Sequence, residues 1–247
     1  MKRVGLFCLV TAACVLWSQQ PPPGTAPPRP PVIPLTDAEL QAIPLTSSLS
    51  GTSVSKVLFD GKSLTGWHGN PDYWSVSDGA IVGQFNGKNP TSFLFTNESY
   101  SDFRLTFSSK MVDSDNHAGV CFWDEIIERP DNKWYTRGPL VIFPHPGMWD
   151  YADAKGLRVL KVSAENPAQH DWVKVEVLAQ GNRVRTAFNG AQVMEWREAD
   201  ASRVHAGPLG VQFHAWTGAQ QVLYKDIVVE TFPKQDRLLT VMQAAKR

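Results

Sequence analysis

Gly207-Pro208-Leu209-Gly210-Val211-Gln212-Phe213-His214-Ala215-Trp216 reads as a β-strand whose two faces have different chemistry. With a period of two, Leu209, Val211 and Phe213 fall on one face and suit a core, while Gln212, His214 and Trp216 fall on the other. A row of amide, imidazole and indole suits a sugar, and it also suits a solvated outer face. The rest of the chain has to decide between the two.

On either side of this stretch the texture is the same. From Lys56 onward, short apolar or alternating runs are separated by Gly, Asn, Asp and Pro, the pattern of an antiparallel β domain. Asp102 to Val112 places Phe103, Leu105, Phe107 and Met111 on one face and Arg104, Thr106, Ser108 and Lys110 on the other. Trp172 to Ala179, Arg183 to Phe188 and Ala191 to Trp196 form a meander, the first two separated by Gln180-Gly181-Asn182 and the last two by Asn189-Gly190, the residues a tight primed turn needs. Gly207 to Trp216 and Gln221 to Glu230 are expected to make a further hairpin around Thr217-Gly218-Ala219. Many strands and few helices predict an all-β jelly-roll sandwich of two antiparallel sheets, with minor helices at the termini. Thr36-Asp37-Ala38-Glu39 has capping-box spacing and predicts a short helix through Ala42, stopped by Pro44. Leu238, Leu239, Val241, Met242 and Ala245 recur at roughly helical spacing and suggest a terminal helix in the tail, residues 234–247.

At 247 residues the chain suits one large β domain, placed here at residues 56–233. Met1-Lys2-Arg3 and the apolar run Val4 to Trp17 have the form of a secretory signal over residues 1–18, too short for a comfortable membrane span. Thr11-Ala12-Ala13-Cys14 is similar to a lipobox, so lipid attachment at Cys14 competes with an ordinary cut after Ser18. Either route predicts an exported protein: periplasmic, secreted or lipid-anchored at a bacterial envelope. Residues 19–55 read as a linker, proline-rich through Pro34 and polar later. Formal charge is zero, and without Lys2 and Arg3 there remain 22 basic against 24 acidic residues. No basic patch points to nucleic acid. Cys8 and Cys14 lie in the leader, which leaves Cys121 without an internal disulfide partner; it reads as a buried small hydrophobe.

Leu58-Phe59-Asp60-Gly61-Lys62-Ser63-Leu64-Thr65-Gly66-Trp67, then Trp74-Ser75-Val76-Ser77-Asp78-Gly79-Ala80-Ile81-Val82-Gly83, carry a family resemblance. Tyr100-Ser101-Asp102-Phe103-Arg104-Leu105, Ala118-Gly119-Val120, Phe188-Asn189-Gly190 and Gly210-Val211-Gln212-Phe213-His214 follow in order. The sequence resembles the 3-keto-disaccharide hydrolase family, exported bacterial domains of concanavalin-like jelly-roll fold, from about Val57 to Phe232. The resemblance implies cleavage of a 3-keto glycoside to a free 3-keto sugar and its aglycone. A C3 carbonyl acidifies the hydrogen at C2, so a base removes it and the C1 oxygen leaves by elimination, after which water re-adds. Such a site asks for a base, a proton donor and a donor or divalent cation for the enediolate. Two departures stand out: Trp123, Asp124 and Glu125 where the family usually has an Arg, and apolar Leu140 and Ile142 where it usually has Glu and Gln.

His214 is the leading candidate for base or metal ligand, with Gln212 beside it. His117, which alternates with Gly119, Cys121 and Trp123, meets His214 if the two strands pair. Asp124 and Glu125 are candidate assisting acids, although adjacent strand residues point to opposite faces. Trp149 and His145, in the loop Phe143-Pro144-His145-Pro146-Gly147-Met148-Trp149, are candidate substrate contacts, as are Trp123 and Trp216. Trp67, Trp74 and Trp172 read as core. The competing reading is a carbohydrate-binding or envelope-interaction domain that keeps the fold without catalysis.

Overall fold

A computed structural model describes residues 32–112, 114–163, 167–215 and 219–241. The leader, Cys14, the proline run through Pro31, Trp216 and residues 242–247 lie outside the described residues. In chain order the elements are α1 (Asp37–Gln41), β1 (Val54–Val57), β2 (Trp67–Gly69), β3 (Trp74–Ser77), β4 (Ala80–Phe85), β5 (Ser92–Tyr100), β6 (Phe103–Met111), β7 (Ala118–Cys121), β8 (Glu125–Arg129), β9 (Asn132–Arg137), β10 (Pro139–Phe143), β11 (Gly147–Asp150), β12 (Lys155–Leu157), β13 (Leu160–Lys161), β14 (Val173–Gln180), β15 (Arg183–Phe188), β16 (Ala191–Arg197), β17 (Gly207–Phe213) and β18 (Gln220–Thr231). Two antiparallel sheets face each other as a jelly-roll sandwich. One runs β13-β16-β15-β14-β6-β18-β4-β3 with β1 added to β18; the other runs β12-β11-β10-β7-β17-β5-β2. A short hairpin, β8-β9, stands apart from both.

The alternation read from the sequence builds the core. Phe103, Leu105, Phe107 and Met111 of β6 pack with Leu209, Val211 and Phe213 of β17 in one buried cluster. The 173–180, 183–188 and 191–197 strands form the expected meander. The expected β17-β18 hairpin does not form. The chain crosses between sheets after Phe213, so β17 pairs with β5 and β7 while β18 pairs with β4 and β6. Burial on both strands explains this: each has apolar residues for one shared core, and they reach it from opposite sides.

Residues 32–55 are not a loose linker. Thr36 caps α1 with a full capping box, and α1 buries Leu40 completely. Asn182 then holds the following segment, donating to Pro44 O (3.0 Å) and accepting from Thr46 N (3.0 Å). At the other terminus, residues 234–241 carry no helix. Their backbone is tied in open form across the outer face of the larger sheet. Arg104 donates to Gln235 O and Arg237 O, Glu176 accepts from Leu239 N (2.9 Å) and Thr240 N (2.7 Å), and Leu238 packs on Leu178 and Ala187. Those carboxylate bonds replace the intrahelical bonds a helix would need.

Glu176 also pairs with Arg104, both groups being nearly fully buried. Glu176→Ala is expected to lower unfolding free energy by about 3 kcal/mol, because it strands buried donors around Arg104 and the tail. Urea denaturation checks this, and an unchanged midpoint would show that the strap contributes nothing.

Candidate functional site

β17 lies in the middle of the seven-stranded sheet, and its register fixes what surrounds Gln212. Gln212 sits opposite Phe93 of β5 and Gly119 of β7, and Gly119 sits opposite Ile142 of β10. One step along the strands, Gly210 is flanked by Phe95 and Cys121, and Cys121 by Leu140. These residues form the sheet face turned away from the main core.

That face is largely covered. The β8-β9 hairpin folds over it, so Tyr135, Ile126, Ile127 and Trp134 make a second apolar cluster with Phe93, Phe95, Cys121 and Leu140. Tyr151 adds its ring edge-on to both Phe93 (5.4 Å) and Tyr135 (5.4 Å). Cys121 is a buried hydrophobe, as expected, and burial raises its thiol well above the usual range.

Beyond the covered part, at the end of the face, the two imidazoles meet. Phe213 pairs with Ala118, so the next residues outward, His214 and His117, fall opposite each other. Their ring centroids are 4.3 Å apart and the planes are inclined by 31°. The Asn116 amide nitrogen lies 3.3 Å from His214 Nδ1 and 3.2 Å from Gln220 Oε1. An amide nitrogen only donates, so His214 Nδ1 accepts and a neutral His214 carries its proton on Nε2. Gln212 is fully buried and donates through Nε2 to Tyr151 Oη, while its Oε1 has no partner among the described residues. Tyr151 is the contact missed in the sequence, and nothing local to Asp150-Tyr151-Ala152 signals a reach across two strands to Gln212.

Several expected site residues lie elsewhere. β7 ends at Cys121, and Trp123 adopts a positive φ of 49°, which breaks the alternation. Its indole turns into the main core and donates to Ser101 O at 2.7 Å, so it is not a substrate contact. Asp124 is buried at the base of the hairpin, where it accepts from the Thr136 hydroxyl and from Arg137 N (3.0 Å). It holds the cover in place and has no access to a substrate. Glu125 points to solvent, 3.9 Å from Arg137. His145 is exposed in the β10-β11 turn, and Trp149 is half-buried on the face beside Leu140. Trp67 and Trp74 are core as expected, but Trp172 lies at the surface with the Lys225 ammonium 4.2 Å from its ring.

A cleft of about 720 Å³ opens along the sheet edge past Ile142 and Trp149. As for a divalent cation, His117 and His214 supply two nitrogens, and no group of three His, Cys, Asp or Glu gathers among the described residues. This donor set falls short of a resident metal site.

Residues 54–230 match the profile of the 3-keto-alpha-glucoside-1,2-lyase-like domain, also called the 3-keto-disaccharide hydrolase domain. The chain belongs to this family. No curated protein matches the sequence significantly. Among solved structures, a candidate glycosyl hydrolase from Parabacteroides distasonis ATCC 8503 is similar (TM-score 0.53, 19% identity, 72% of this chain and 94% of that one). So is a Bacillus subtilis protein of unknown function with a galectin-like fold (TM-score 0.56, 12% identity, 74% and 98%). The Bacillus subtilis carbohydrate-binding module CBM66 is another (TM-score 0.50, 15% identity, 67% and 96%). At these identities the likeness is one of fold. Family and fold together make this a carbohydrate-active jelly-roll protein of glycoside-hydrolase-like type.

Asp124 offers a test of the cover. Burial pushes its carboxyl up to about 6 from 3.8. Between those values the folded chain holds a proton that the unfolded chain has lost, so this group's contribution to stability falls as pH rises through the window. Asp124→Asn, neutral throughout, should therefore gain on the order of 3 kcal/mol relative to the parent between pH 4 and pH 7. Urea midpoints across that range measure the difference, and parallel profiles would contradict the burial argument.

Proposed function

We propose that this chain cleaves the glycosidic bond of a 3-keto glycoside by elimination, with His117 as base and His214 as hydrogen-bond donor to the leaving oxygen. The observation that carries this reading is the imidazole pair, with Asn116 turned toward His214 Nδ1. Two rings so close disfavour a doubly charged state, which leaves a neutral imidazole to take a proton. Asn116, donating to Nδ1, holds His214 neutral with its proton on Nε2, which suits it to donate a hydrogen bond. His117 takes the proton from C2, the C1–O bond breaks with its electron pair going to the leaving oxygen under the His214 Nε2–H, and His117 passes its proton to that oxygen. The product enone then takes up water at C1 to give the free 3-keto sugar.

A carbohydrate-binding domain without catalysis is the second reading. No third His, Cys, Asp or Glu gathers with the pair among the described residues, which favours it. Turnover separates the two. With a 3-keto disaccharide, His117→Ala and His214→Ala should each lose at least about 100-fold in kcat. With a 3-keto 4-nitrophenyl glucoside, whose leaving group needs no acid, His214→Ala should recover most of its rate and His117→Ala should not. Binding without any release of 3-keto sugar would establish the recognition domain instead.

Export is part of the same proposal, supported by Met1-Lys2-Arg3 and the apolar run to Trp17. The mass of the mature N-terminus distinguishes a lipid on Cys14 from a cut after Ser18, and an intact Met1 would exclude both.

A further inference from the structure

The cleft at the sheet edge past Ile142 and Trp149 has a composition that a sugar would not choose. Its wall is made by Ile142, Met148, Trp149, Leu157 and Val159, closed at the far edge by Val32 and Pro34. Among the described residues, Lys155 and Lys161 are its only charged groups, and both are already engaged: Lys155 with Asp153 (2.6 Å) and Lys161 with the Pro146 carbonyl. No described Asp, Glu, Asn, Gln, Ser or Thr lines it. A pyranose carries hydroxyls around its whole rim, and burying them here would leave each without a protein partner.

The cleft also adjoins the chemistry. Ile142 is opposite Gly119, and His117 is two residues along from Gly119 on the same face of the same strand run. The diagonal spacing of such positions is about 7–8 Å. The space over Gly119 is filled by the Leu140 side chain, which a Cβ there would meet at 2.5 Å, so the surface beside Ile142 is apolar. A sugar ring at His117 and His214 would thus direct its C1 substituent over Ile142 toward the Trp149 indole.

Resting on the imidazole pair as the reacting centre, we propose that this cleft is the leaving-group subsite, and that the substrates are 3-keto glycosides of an apolar ring aglycone, not of a second sugar. Trp149 provides a flat face for the ring, with Ile142 on the same side of the sheet and Val32 over the neighbouring Gly156. The selectivity comes from polar groups the cleft lacks: a second sugar is rejected because its hydroxyls lose water and gain nothing.

The test compares the 3-keto form of cyclohexyl glucoside with a 3-keto glucosyl-glucose. Both leaving groups are simple alkoxides, so the ratio reports the subsite and not leaving ability. The full chain should favour the cyclohexyl glycoside by about tenfold in kcat/KM. Ile142→Gln should reduce that ratio toward one, and Trp149→Ala should do the same. Equal or better turnover of the disaccharide would overturn the subsite while leaving the imidazole chemistry intact. If neither compound is cleaved, calorimetry with unoxidised cyclohexyl glucoside and its disaccharide counterpart decides the cleft alone: tighter cyclohexyl binding that weakens in Ile142→Gln supports it, and tighter disaccharide binding or no binding of either overturns it.

Discussion

The structure depends on the ladder that holds β17 between β5 and β7. Because side chains alternate along a strand, fixing Gly210 against Cys121 and Phe213 against Ala118 decides every other orientation nearby. Leu209, Val211 and Phe213 must enter the core, and Gln212 and His214 must face away from it. The same register brings the residue before β7 opposite the residue after β17, which is how His117 and His214, about a hundred positions apart in the chain, come within 4.3 Å. A slip of one residue would turn His214 into the core and Phe213 out of it.

The outward face carries two kinds of surface. Its centre is dry, sealed by the hairpin from Glu125 to Arg137 and by Tyr151, and held at the hinge by Asp124. Its end is polar and narrow, with the imidazoles, Asn116 and the buried Gln212. The sealed centre leaves the end of the face and the adjoining edge cleft as the places where a ligand meets side chains. A small sheltered polar corner beside an apolar cleft suits a reaction at one bond of a glycoside better than the gripping of a long polysaccharide chain.

What the sequence made legible follows from periodicity. Alternation over residues 103–111 and 207–213 identified core faces, and Asn189-Gly190 identified a turn, because these signals are local. His117 and His214 meet only where β7 and β17 pair, and the pairing exists. Trp123 and Asp124 were misread because alternation was carried past the end of β7, where a single residue at positive φ reverses it. The β17-β18 crossover was misread because a Gly-containing connection between two strands looks the same whether the strands pair or part. The packing of residues 32–55 was hidden as well: Thr46 meets Asn182 across 136 positions, and no local pattern carries that contact. The cleft depends on residues from four strands and the N-terminal segment, which only the fold assembles.

The central claim is that the imidazole pair drives elimination through loss of the C2 proton. Turnover of a 3-keto glycoside in deuterium oxide, followed by proton NMR and compared with 3-keto sugar incubated alone, tests it most directly. The account predicts a product with deuterium at C2, introduced when water re-adds across the C1–C2 double bond. A product that keeps its original proton at C2 would mean that the bond breaks by direct displacement at C1, and the roles assigned to His117 and His214 would fall.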